Sequence, residues 1–248
     1  MESSNPTLNQ RTFDGAHVGV GEQAMTIQGT VNKTFILLAV LIATAMWSWS
    51  KASDPASTGL LGMVFLVSMI AGLILALATS FKPKWSPVTA PLYAGCEGLL
   101  LGVLSAYFEM RYHGIVIQAV GLTFAVTFFM LMGYKSGFLQ ATPGLRKGLM
   151  IAMGGLCLFY MIVWIASFFG IHQPGFINGG GPLGVVFSLF VVGIASMSLI
   201  LDFDMIEQGS RQGCEKYMEW YGAFALMVTL IWLYIEILRL LSKVSRRD

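Results

Sequence analysis

Residues 184–209 read GVVFSLFVVGIASMSLILDFDMIEQG. The 18 residues from Gly184 to Leu201 carry no charge. That run approaches the ~20 apolar residues a helix needs to cross a ~30 Å hydrocarbon core. Two carboxylates, Asp202 and Asp204, then arrive where hydrocarbon should still be close. The apolar run decides the fold class. The acids pose the question of function, because an intramembrane carboxylate costs roughly 2.5–3.5 kcal/mol on insertion scales. Such a group pairs, sits at an interface or lines a wet cavity.

The rest of the chain repeats the pattern. Of 248 residues, 56% are hydrophobic and 11% charged, against about 25% charged in a soluble domain. Mean hydropathy is +0.71. A core cannot absorb that shortfall, because a soluble surface needs the charges. Seven runs reach or approach spanning length: 33–50, 60–80, 88–108, 114–134, 148–170, 182–203 and 218–241. Proline, glycine and charge cluster in the gaps, as in KASDPAST at 51–58 and HQPGFINGGGP at 172–182, where breakers belong. The fold class expected is all-α, a polytopic bundle of seven transmembrane helices. Short linkers such as 109–113 require antiparallel neighbours. Small residues inside the spans, such as Gly154-Gly155 and Gly193–Ala195, read as sites of close helix approach.

Residues 1–30 are polar and glycine-rich, with Arg11, Asp14, His17 and Glu22, and lack the apolar core of a signal peptide. They read as a mobile tail before a membrane domain at 31–248. The first span then acts as an uncleaved anchor. Lys33, Lys82, Lys84, Lys135, Arg146, Lys147, Arg211 and Lys216 fall on one side of the membrane. Lys51 and Arg111 fall on the other, with the tail residues Arg239, Lys243, Arg246 and Arg247. Setting the tail aside, the bias places the N-terminus in the cytoplasm and the C-terminus outside. A re-entrant seventh run would instead leave the basic tail in the cytoplasm.

Several classes are excluded. A net charge of +2 gives no basic field for nucleic acid. Cys96, Cys157 and Cys214 are too far apart for a zinc motif and read as small apolar fillers. The chain has no HExxH and no GxSxG, and His17, His113 and His172 lie in the tail or loops. It does not read as an enzyme. A retinal receptor fails because the seventh span has no lysine before Lys243.

Four acids lie inside or beside apolar runs: Glu97, Asp202, Asp204 and Glu236. Asp202 and Asp204 point about 200° apart on a helix and cannot share a face. Asp204 with Gln208, and Glu207 with Arg211, are i,i+4 neighbours and read as an interfacial helix end. Asp202 is the inward candidate, either a capping acid or a pathway group. Glu97 has no basic residue within seven positions. It must face the bundle, find a partner or be protonated. Glu236 has Arg239 three residues on and reads as a local ion pair near an interface.

The chain resembles the Bax inhibitor family, and especially a bacterial branch of it. The resemblance rests on the seven spans, Glu97-Gly98 in the third, LDFDMI at 201–206, ILRLL at 237–241, and MTIQGTVNKTFILLAV at 25–40. It implies a bundle with the seventh helix central, and a plasma-membrane location in a bacterium. It also implies a calcium leak tuned by pH, sensed by an aspartate dyad between the sixth and seventh helices. The sixth-helix aspartate corresponds to Asp202. Alignment of Leu238-Arg239-Leu240 puts Thr229 where the partner acid is expected. An aspartate–threonine pair cannot share a proton as two acids do, although Thr229 can donate a hydrogen bond to Asp202. Glu236 lies two turns on, roughly 10 Å along the axis, and cannot substitute in place.

Few acids and no DxDxDG loop leave only a weak, mostly hydrated transit site for calcium or another cation. Asp202 and Glu97 are its weak, transient ligands, with Asp204 at the cytoplasmic mouth. No cofactor is expected beyond the transported ion. The alternative is a non-conducting adaptor whose N-terminal tail contacts membrane-protein partners in proteolysis or stress response.

Overall fold

A computed structural model describes residues 24–52, 58–169 and 181–246. Among these residues there are seven long helices and no strand. They are α1 (Ile27–Ala52), α2 (Thr58–Phe81), α3 (Ser86–Arg111), α4 (Ile115–Lys135), α5 (Pro143–Phe168), α6 (Pro182–Arg211) and α7 (Met218–Val244). All seven are long and apolar enough to cross a membrane. At 27 residues, α7 is a continuous helix about 40 Å long. It is therefore long enough to cross a bilayer without turning back within it. Parts of KASDPAST and nearly all of HQPGFINGGGP lie outside the described residues.

Local chemistry sets the helix ends. Thr26 accepts from the Gly29 amide at 3.0 Å and caps α1. Thr142 accepts from the Leu145 amide at 3.2 Å, and Pro143 follows it at the first position of α5. Gly114 and Gly213 adopt φ of +79° and +68° in the tight links before α4 and α7, a region that favours glycine.

The described residues pack as two compact units: 24–113 with 204–228, and 114–203 with 229–246. In the first, α3 presents Ala90, Ala94, Gly98, Gly102 and Ala106 at every fourth position, all buried. A Cβ on Gly98 would collide with the Leu41 carbonyl and the Thr44 hydroxyl of α1. One on Gly102 would collide with the Ala45 carbonyl and the Ser48 hydroxyl. The backbones approach here because no side chain separates them. Gly154, Gly155 and Gly193, the positions expected to serve this purpose, face open space instead. On the other flank of α3, the Thr79 hydroxyl of α2 donates to that of Thr89 at 2.7 Å. In the second unit, Leu149 and Leu156 of α5 pack with Val191, Ile194 and Leu201 of α6, and Trp232 of α7 closes the cluster.

Burial is uneven. In α7, 56% of the apolar window is buried, and in α6 50%, against 6% in α5. The last helix is the most enclosed. Large apolar side chains such as Phe35, Met63, Phe129 and Ile151 remain exposed, as a lipid-facing surface requires.

Helix α1 starts at Ile27, inside the stretch read from sequence as tail. Ala24 bridges Glu215, and the Met25 amide donates to the Cys214 carbonyl at 2.7 Å. The segment just before α1 is thus fastened to the 212–217 link, because its backbone finds partners there.

Candidate functional site: a polar seam between α6 and α7

The 212–217 link turns the chain back, so α6 and α7 run antiparallel. The Thr229 hydroxyl donates to the Asp202 carboxylate at 2.6 Å. Fourteen residues back along α6 and fourteen forward along α7, the Lys243 ammonium donates to the Ser188 hydroxyl at 2.8 Å. Equal steps on both helices mean one constant register. Halfway, Ala195 stands level with Glu236. Ala195 is fully buried. Asp202, Thr229, Glu236, Ser188 and Lys243 are all buried. Seven-residue steps keep them on one face. Fourteen residues span about 21 Å, roughly two-thirds of a hydrocarbon core.

Each level has its own chemistry. At the first, a hydroxyl meets the carboxylate, and no second acid stands at Thr229. At the second, Arg239 donates to Glu236 at 2.9 Å, and the Trp232 indole also reaches the carboxylate. The expected ion pair is present, but its acid is enclosed at 3% exposure instead of lying at an interface. At the third, Lys243 also donates to the Gly184 carbonyl at 3.1 Å and lies 5.9 Å from the centre of the Phe187 ring. Lys243, read from sequence as part of the basic tail, is instead a buried residue in the last turn of α7, with partners 55 and 59 residues away.

The remaining acids are placed elsewhere. Asp204 accepts from Gln208 at 2.8 Å, and Arg211 pairs with Glu207 at 2.5 Å, the helix-end pairs expected from spacing. Glu97 belongs to the first unit. It takes a hydrogen bond from Tyr93 one turn earlier and lies over Gly72 of α2, where a Cβ would stand 3.1 Å from its oxygen. Among the described residues, no three His, Cys, Asp or Glu side chains converge.

One buried acid escaped the sequence reading. Glu219, at the start of α7, is fully buried and pairs with Lys33 of α1 and, at 2.8 Å, with Lys216. It also accepts from the Thr26 amide at 2.9 Å and hydroxyl at 2.8 Å. Lys33 lies 186 residues away in sequence, so no local spacing announces the pair. In the nearby link, Cys214 is buried. Burial, with Glu215 beside it, pushes the Tyr217 phenol up to about 12.

A family model described as Bax inhibitor 1 like matches residues 5–246, almost the whole chain. No curated protein and no solved structure matches it.

Proposed function

Because the chain belongs to the Bax inhibitor 1 like family, we propose that this multi-pass membrane protein is a cation leak, with calcium as cargo and Asp202 as the pH-responsive group. The family is not known as enzymatic. The observation that carries the reading is the buried Asp202–Thr229 bond between two spanning helices. An ionised carboxylate accepts a charge-assisted bond, roughly twice as strong as a neutral one. Deprotonated Asp202 therefore latches α6 to α7. Protonation weakens the latch, and leak rises as pH falls.

Other placements fit. Asp204, next along α6, adds negative charge near the latch. Glu97 serves as a structural hydrogen-bonder against α2. The loop charge bias supports a cytoplasmic N-terminus, which puts Asp202 nearer the cytoplasm and Lys243 nearer the outside. A bacterial plasma membrane is the proposed location. The test is calcium entry into dye-loaded proteoliposomes. Flux above that of protein-free vesicles supports the leak. Flux equal to theirs leaves the non-conducting adaptor as the reading.

A further inference from the structure

Resting on the leak reading, we propose that the Lys243 ammonium is a tethered cation that plugs the end of the α6–α7 seam, seated on oxygens that a small metal cation would otherwise take. Lys243 is 5% exposed and Ser188 2%. The amine's partners are a carbonyl and a hydroxyl, Gly184 and Ser188, with the Phe187 ring nearby. Neutral oxygens and a ring face are the surfaces that hold a cation weakly. Stability does not explain the arrangement, because an apolar side chain of similar volume would pack there without burying a charge.

Position and charge agree with a plug. The constant register sets Lys243 on the same face as Glu236 and Thr229, at the opposite end from Asp202. Among the described residues, the charged groups around it are Glu236, Arg239 and Arg246. Glu236 is already paired with Arg239. This end of the seam is therefore net positive, and a fixed positive charge on a pathway is a barrier to cations. Removing one such charge at close range is expected to change cation passage by about tenfold or more.

The experiment measures initial calcium entry into proteoliposomes holding the full chain as wild type, Lys243→Met, Lys243→Arg or Ser188→Ala, each first checked for a single size-exclusion peak. Lys243→Met is expected to raise the rate about tenfold or more. Lys243→Arg keeps the charge and is expected to give a rise of about threefold or less. Ser188→Ala removes one seat of the amine and is expected to give an intermediate rise. It stands in for Lys243→Met if that variant does not fold. A conducting wild type with Lys243→Met and Ser188→Ala no faster overturns the plug and leaves the leak intact. If wild type and both variants all match protein-free vesicles, the leak is overturned and the plug with it.

Discussion

Asp202 and Thr229 meet at 2.6 Å with no water-exposed surface on the acid. A hydroxyl can donate to the ionised carboxylate and accept from the protonated one, so the pair persists in either form with unequal strength. Thr229→Asp would put two acids at this level. Its flux–pH curve should then show two steps in place of one, because coupled acids lose their protons separately. A single step at the wild-type midpoint would contradict a direct role for position 229. Glu219 makes a different point. Its carboxylate is buried and Lys33 is mostly covered, while Lys216 is half-exposed, so Lys216 can rehydrate if the acid is lost. Glu219→Gln is expected to destabilise by about 1–3 kcal/mol, read as a fall in melting temperature in detergent, with Lys33→Gln showing part of the same loss. Asp202 was legible in the sequence because a charge stands out against hydrocarbon. Glu219 and Lys243 were not, because each lies at a helix end, where charge is ordinary, and finds its partner on a distant helix.

Helix pairs show the same contrast. The spans were legible from their apolar length, and the structure extends most of them by a few residues into the turns. Which glycines carry close packing was not legible. A glycine in a span signals close approach only when another backbone lies opposite it, and nothing local reports that. On α3, Gly98 and Gly102 meet α1 carbonyls, while Gly154 and Gly155 on α5 meet nothing. Gly98→Ala is therefore expected to cost about 1–3 kcal/mol through forced separation of α1 and α3. Gly154→Ala should be neutral or slightly stabilising, since alanine is the better helix former. Thermal melts of the two purified variants distinguish them, and equal melting temperatures would contradict the packing described. The antiparallel direction of α6 and α7 was legible from their short link. Their register was not. It emerges from two hydrogen bonds fourteen residues apart on each helix, which together set Glu236 opposite Ala195.

For the whole molecule, an all-α membrane fold of seven spans follows from composition and run length, and the family match covers residues 5–246 of the same chain. The function depends on whether the buried acid in the α6–α7 seam governs ion passage. Calcium entry into dye-loaded proteoliposomes, followed from pH 5 to pH 8 for wild type and Asp202→Asn, tests this most directly. Wild-type flux should rise as pH falls. Asp202→Asn, neutral at every pH, should give a flat profile close to the wild-type level at the acid end. A variant whose flux and pH profile match the wild type would contradict the latch.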